Sequence, residues 1–282
     1  MADKILVLNS GSTSLKYKLF DLETFELISE NNYQNIASRE DALKQVFREV
    51  GNLSEVKAIG HRVVHGGLEF FKPTLINREN IYNLAKYNEL APLHNPANLE
   101  GILACLEYLP GVNNYAVFDT AFYKDLPEES RTYAIPPEIA HENDFYRFGF
   151  HGISHKYVAN KVASDLKKDI KKLKIISCHL GGGASVTAIK NGQPVETSMG
   201  FTPLEGLMMA TRCGDLDPGI ILKMAEKYGI EATSEILNKK SGIYGISGIN
   251  NYLELLKQRN FGNLGATLAF KMFVHRIRKY IG

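Results

Sequence analysis

A chain of 282 residues, 44% hydrophobic and 23% charged, has the composition of a globular protein and enough apolar material for two domains with cores of their own. Its formal net charge of +2 gives no global case for nucleic acid or an anionic membrane surface as a partner. Three cysteines without C-x-x-C spacing (Cys105, Cys178 and Cys213), no leader pattern and no long apolar run predict reduced thiols in a cytoplasmic protein with no membrane partner.

In chain order, residues 4–8 form a short β-rich run, 9–14 a loop of small residues, 15–20 a second strand and 25–29 a third. Ser38, with Asp41 three residues on, starts a helix whose apolar face is Leu43, Val46, Phe47 and Val50, and Gly51 stops it. Residues 56–59 predict a strand running into GHRVVHGG at 60–67. His61 and His65 stand four apart, but the β-branched pair between them argues for an extended segment on which both share a face. With no cysteine or acid at ligand spacing, they are not read as a zinc site. Arg62 lies in an apolar stretch, where an arginine needs an anion. A substrate carboxylate or phosphate is one reading and an internal salt bridge the other.

Asn95-Pro96 reads as the N-cap and first residue of a helix with Leu99, Ile102, Leu103 and Leu106 on its core face. Residues 115–118 are a strand delivering Asp119 at its C-terminal end, the edge where chemistry collects in α/β sheets. Asp119 is read as a Mg²⁺ ligand or nucleophile, with a turn or helix-cap aspartate as the plainer alternative. Further on, Ser154 reads as the cap of a helix marked by Val158, Val162 and Leu166. His151, just before the helix start, has the positive end of the dipole to offer an anion; His155 reads as a satisfied core histidine. The domain boundary is drawn near residue 150, giving domains 1–150 and 151–282.

Residues 173–178 form an apolar strand, Gly181-Gly182-Gly183 break it, and 186–189 resume it. Asn191-Gly192 then signals a two-residue hairpin turn, whose central residues both need positive φ. Consecutive glycines let backbone amides approach an anion, although a flexible surface loop has the same composition. The order strand, Gly/Ser loop, strand, turn, strand occurs at 4–29 and again at 173–198, a weak internal duplication. Two such loops predict a clamp on a nucleotide polyphosphate, without a P-loop or dinucleotide fingerprint. Helices are predicted over 220–227, 233–240 (stopped at Gly242) and 263–282, the last amphipathic, with Leu264, Leu268, Met272 and Ile277 among its apolar residues. A chain stopping just after a long helix, with few strands in its second domain, is read as a fragment.

These motifs converge on a family. LNSGSTSLKYKLF, GHRVVHGG, APLHNPANLEG, VFDTAF, RFGFHGISH, CHLGGGAS, ETSMGFTPLEGLMMATRCGDLDP and LNKKSG stand in the order in which the sequence resembles acetate kinases, across residues 6–282. The resemblance implies an α/β fold of two ribonuclease H-like domains of the actin-like superfamily, an acyl-substrate domain and a nucleotide-binding domain, the second incomplete. It implies reversible, Mg²⁺-dependent transfer of a phosphoryl group from ATP to acetate, directly and in line, with Mn²⁺ as an alternative metal, in a homodimer. Asn9 matches the family's magnesium-site asparagine, and Lys16 with Ser12 and Ser14 its first nucleotide-phosphate loop. His179, Leu180, Gly181, Gly182 and Gly183 match the second such loop. Arg62 and Arg212 match the arginines flanking the acyl phosphate, Asp119 the essential aspartate, and His151 the histidine holding the transferred group. Val64, Leu93, Phe150 and Pro203 match the apolar pocket for the substrate methyl.

Four departures qualify the match. Gly182 stands where the family more often has asparagine, and Ile153 where it has threonine. Residues 249–254 lack the Asp-x-Arg near the nucleotide's sugar and base. The family's later strand, adenosine-binding glycine loop and metal-binding glutamate have no counterpart in the sequence. A propionate or butyrate kinase, and an inactive fragment binding phosphate ligands or a partner, are the rival readings.

Overall fold

The computed structural model describes residues 3–11, 13–92 and 94–282. Ser12 and Leu93, both candidates above, lie outside the described residues. The chain divides into two compact units, Met1–Ala121 and Phe122–Gly282, earlier than the boundary expected near residue 150. The segment between the two positions belongs to the second unit by its hydrogen bonds. Arg147 donates to the carbonyls of Thr197 and Met199 and to Glu205, and Phe148 N donates to Gly200 O.

The first unit is a six-stranded sheet with helices. Its elements are β1 (Lys4–Ser10), β2 (Ser14–Asp21), β3 (Leu27–Gln34), α1 (Arg39–Val50), β4 (Val56–Val63), β5 (Thr74–Ile76), α2 (Ile81–Ala85), α3 (Asn95–Tyr108) and β6 (Asn113–Phe118). The strand order is β3-β2-β1-β4-β6-β5. The β1–β2–β3 meander is antiparallel, whereas β1–β4 and β4–β6 are parallel pairs. Alternation puts Leu6, Leu8, Leu15, Tyr17 and Leu19 on one buried face, where the Leu43, Val46, Phe47 and Val50 stripe of α1 completes the core. Ser38 caps α1 by accepting from Asp41 N, and Gly51 closes it at φ 76°, as expected.

Three expectations fail locally here. Strand β4 ends at Val63, so His61 lies in the strand while His65 falls in the loop beyond it. Asn95 does not cap α3: His94 takes the N-cap position, and the Asn95 amide instead holds the His65 backbone, accepting from its N–H and donating to its carbonyl at 3.0 Å each. Leu99 and Ile102 are core residues, but Leu103 faces solvent.

The second unit holds α4 (Glu128–Arg131), α5 (Pro137–Glu142), α6 (Gly152–Asp165), β7 (Lys174–Leu180), β8 (Ala184–Lys190) and β9 (Gln193–Thr197). Helices α7 (Pro218–Tyr228), α8 (Ile230–Lys239), α9 (Gly242–Ser247), α10 (Tyr252–Asn260) and α11 (Leu264–Ile281) follow. β7, β8 and β9 form an antiparallel meander, the same arrangement as β1–β3, so the duplicated pattern corresponds to two similar hairpin units. Asn191 and Gly192 sit at φ 57° and 80°, the left-handed pair the turn requires.

The helices of this unit bury different faces from those expected. In α6 the buried residues are Gly152, His155, Ala159 and Ala163, while Val158, Val162 and Leu166 are exposed. In α11 the buried face is Ala266, Ala269 and Phe273, and Leu264 is 85% exposed. Small residues admit close packing, so these helices meet their neighbours along alanine and glycine rather than along the bulky stripe. Gly242 does not stop α8, which ends at Lys239; at φ 64° it opens α9.

Candidate active site

In the first unit the parallel strands β1, β4 and β6 end side by side, bringing together Asn9 near the end of β1, Arg62 near the end of β4 and Asp119 just after β6. The Arg62 guanidinium donates through Nε to both Asp119 carboxylate oxygens at 3.1 and 3.2 Å and through Nη2 to Oδ2 at 2.6 Å. Its Nη1 donates to Asn9 Oδ1 at 3.3 Å. Asp119 is 2% exposed, and its backbone N–H is tied to Val63 O at 3.0 Å. The attraction of Asp119 raises the Arg62 pKa further above its ordinary range, against the opposing cost of burial. The internal-salt-bridge reading of Arg62 is therefore the one the geometry bears. A bidentate pair of this kind also aims the guanidinium.

Lys16 lies directly across the β1–β2 pair from Asn9 and is exposed. Ser14 opens β2, and its carbonyl accepts Gly11 N at 2.8 Å, closing the small-residue turn. Val64 is buried beside this group. Its N–H donates to Asn98 Oδ1 at 3.0 Å, and Asn98 Nδ2 donates to Ser10 O at 2.6 Å. One buried amide on α3 thus ties the end of β1 to the segment after β4. Arg39 of α1 grips the same turn, donating to Ser10 Oγ at 2.8 Å and to Gly11 O at 2.5 Å, and pairs with Glu100.

Asn9 Oδ1 and the Asp119 carboxylate are hard oxygen donors gathered by a single guanidinium. That donor set suits Mg²⁺, which takes one or two carboxylates and completes its octahedron with water and phosphate oxygens. Among the described residues no cluster of three or more His, Cys, Asp or Glu forms a dedicated metal cage.

In the second unit His151 occupies the N-cap of α6 in the left-handed region, φ 58°. A non-glycine residue held there is strained, and such positions cluster at functional sites. Its ring stacks on His179 with centroids 4.1 Å apart, and its Nδ1 lies 2.9 Å from Ser185 Oγ. Ser154, expected to cap the helix, instead bonds His179 Nδ1 at 2.9 Å. The glycine turn after β7 is closed by Gly181 N donating to Gly183 O at 3.0 Å, and Ala210 N donates to Gly182 O at 3.1 Å. An added Cβ on Gly183 would lie 3.2 Å from His151 Nε2 and 3.7 Å from Arg212 Nη1, so this glycine marks where the histidine and the arginine converge. Arg212 Nη1 also donates to Pro203 O at 3.2 Å. Leu180, Gly181 and Gly182 are exposed, His179 is half-buried, and Phe150 is buried with its carbonyl accepting the Tyr123 hydroxyl at 2.8 Å.

The structure thus groups Asn9, Ser14, Lys16, Arg62, Val64 and Asp119 in one unit, and Phe150, His151, the glycine turn, Pro203 and Arg212 in the other. Sequence reading missed Asn98, Arg39, Ser177 and Ser185. The period-two run of Ser177 and His179 opposite Thr187 and Ser185 is a polar face on an otherwise apolar hairpin, and was the available signal for the last two. For Asn98 the signal was a second asparagine one helical turn beyond Asn95.

A carboxylate-aligned arginine and, in the other unit, a strained histidine and an arginine at a bare glycine turn are groups that handle anionic, phosphorylated compounds. A model of the acetokinase family matches residues 27–282. The chain is 44% identical to the acetate kinase of Dictyoglomus thermophilum over 314 residues, covering 99% of this chain and 78% of that protein. It is 43% identical to the acetate kinase of Bacteroides thetaiotaomicron over 313 residues, covering 99% and 78%. The crystal structure of Porphyromonas gingivalis acetate kinase matches with a TM-score of 0.89 at 37% identity, covering 100% of this chain and 79% of that one. A propionate kinase from Francisella tularensis subsp. tularensis matches with a TM-score of 0.92 at 37% identity, covering 99% and 79%. By class the protein is a kinase, an ATP-dependent phosphotransferase of mixed α/β fold. It belongs to the acetokinase family.

Proposed function

We propose that this chain transfers the γ-phosphoryl group of ATP to acetate, reversibly, giving acetyl phosphate and ADP. The observation that carries the reading is the buried Asp119 carboxylate aligning Arg62 beside Asn9 at the ends of three parallel strands. Phosphoryl transfer needs positioning and charge stabilisation more than covalent help. In the proposal Arg62, with Arg212 and His151, neutralises charge on the phosphoryl oxygens. Acetate is ionised near neutral pH, so attack by its oxygen needs no general base. Asn9 and Asp119 are the residues that would hold Mg²⁺; when bound, the metal supplies charge neutralisation on the nucleotide phosphates. Lys16, Ser12 and Ser14, and the turn at 179–183, are the proposed phosphate contacts. Val64, Leu93, Phe150 and Pro203 are the proposed methyl pocket, whose branched Val64 favours acetate over longer acids. The family resemblance supports the same reading for a cytoplasmic homodimer.

The test is acetyl phosphate formation trapped as the hydroxamate, with ATP and Mg²⁺, on this 282-residue chain, beside Asp119→Ala. Activity abolished by the substitution supports the proposal. A folded wild-type chain without activity on acetate, propionate or butyrate overturns it. A faster rate on propionate than on acetate would move the assignment to the longer acid.

A further inference from the structure

We infer that Ser177, His155 and Ser185 form a buried hydrogen-bond relay that fixes the tautomer of His151, presenting an Nε2–H at the glycine turn. The chain of contacts is continuous. Ser177 Oγ lies 2.9 Å from His155 Nδ1, His155 Nε2 lies 2.8 Å from Ser185 Oγ, and Ser185 Oγ lies 2.9 Å from His151 Nδ1. His155 and Ser185 are fully buried and Ser177 nearly so.

Counting protons sets the direction. His155, buried on every side, is neutral and carries one N–H. Among the described residues the Ser177 hydroxyl meets no acceptor other than His155 Nδ1, so it donates there. The opposite polarity would leave a buried hydroxyl proton with no acceptor, which folded proteins rarely tolerate. With Nδ1 accepting, the His155 proton sits on Nε2 and is donated to Ser185 Oγ. Ser185 then has its own proton for one remaining partner, His151 Nδ1. A neutral His151 that accepts at Nδ1 holds its proton on Nε2, the atom beside Gly183. It faces a phosphoryl oxygen as a donor and carries no lone pair there for attack on phosphorus. Ser177, whose hydroxyl reaches His151 through His155 and Ser185, is a positioning residue acting through two others.

The inference rests on the phosphoryl-transfer reading for what His151 does, but its measurement needs no turnover. In the full chain labelled with ¹⁵N-histidine, two-bond ¹H–¹⁵N correlation reads the tautomer of each ring, with His151→Gln and His155→Gln for assignment. Both rings are expected in the Nε2–H form. Ser177→Ala should convert His151 to a mixture of tautomers and lower kcat about tenfold, the equivalent of one hydrogen bond, with the KM values for acetate and ATP unchanged. Ser177→Thr, which keeps the hydroxyl, should restore both. An Nδ1–H His151 in the wild-type spectrum overturns the relay, and it does so even if Ser177→Ala fails to fold. So does a Ser177→Ala protein whose His151 signals are those of the wild type. An inactive wild-type chain with both rings in the Nε2–H form keeps the relay and overturns only the kinase reading.

Discussion

Asp119 has two possible duties that a substitution can separate. It holds Arg62 in place, and it offers oxygen atoms to a cation. Asp119→Asn keeps the shape and the oxygen but loses the charge. If the aspartate's part in the reaction is to orient Mg²⁺ or its water shell, the variant should bind Mg²⁺-nucleotide at least tenfold more weakly by calorimetry, with kcat down by two orders of magnitude or more. Normal Mg²⁺ affinity with the transfer step lost would assign Asp119 to Arg62 or to proton handling instead. Val64 is the second residue to test. Replacing it by alanine removes two methyl groups from the proposed pocket. A change of that size is worth ~1–3 kcal/mol between neighbouring acids. Val64→Ala should therefore raise the propionate-to-acetate ratio of kcat/KM by about tenfold or more. An unchanged ratio would take Val64 out of the pocket.

At the scale of elements, α3 links parts of the first unit that the sequence leaves far apart. Asn95 holds the backbone of His65, and Asn98 bridges Val64 N to Ser10 O. Asn98→Asp keeps the acceptor for Val64 but sets a carboxylate against the Ser10 carbonyl. The expected result is nucleotide binding weakened five- to tenfold and stability lower by about 1–3 kcal/mol, the cost of an unsatisfied buried group. Equal affinity for ATP in the variant would show that the β1–β2 turn does not depend on this bridge. The strands other than the short β5, the α1 face, the Ser38 cap and the Asn191-Gly192 turn were legible in the sequence because their signals are local: alternation, helical spacing, and positive φ at two adjacent residues; β3 runs on to Gln34, past the 25–29 expected. The helices over 154–166, 220–227, 233–240 and 263–282 were legible too, but the faces they bury were not. Val158, Val162 and Leu166 make a regular apolar stripe, yet α6 packs through Gly152, His155, Ala159 and Ala163. Hydrophobic spacing cannot report that a polar hairpin face, Ser177 with Ser185, draws a histidine inward and turns the valines out. Asn95 misled for a related reason: its cap signal is local, but a tertiary partner with two backbone groups to satisfy took the side chain. The candidate site was legible mainly through the family resemblance, which named residues at the strand ends and the glycine turn but not the asparagines and serines behind them.

Across the whole molecule, three buried histidines tie stability to acid. Burial pushes His61 and His65 in the first unit, and His155 in the second, down to about 4. For His61 the Asn114 hydrogen bond opposes the shift, and for His155 the charge of His179 adds to it. In the unfolded chain each titrates near an ordinary pKa of about 6.5. Between those values the unfolded state binds protons that the native state refuses, so stability falls as pH falls through 6.5 and the loss is complete below about 4. Each histidine can account for up to ~3 kcal/mol, against a total stability of about 5–15 kcal/mol for an ordinary domain. The melting temperature should therefore be flat above pH 7 and drop steadily from pH 6.5 to 4.5, before most carboxylates titrate. His61→Gln keeps an amide donor for Asn114 Oδ1 and cannot charge, so its melting curve should fall less steeply over the same range. A wild-type melting temperature constant from pH 7 to 4.5, or a His61→Gln slope equal to the wild type, would mean that these rings accept protons in the native fold and that the interior around them opens to water.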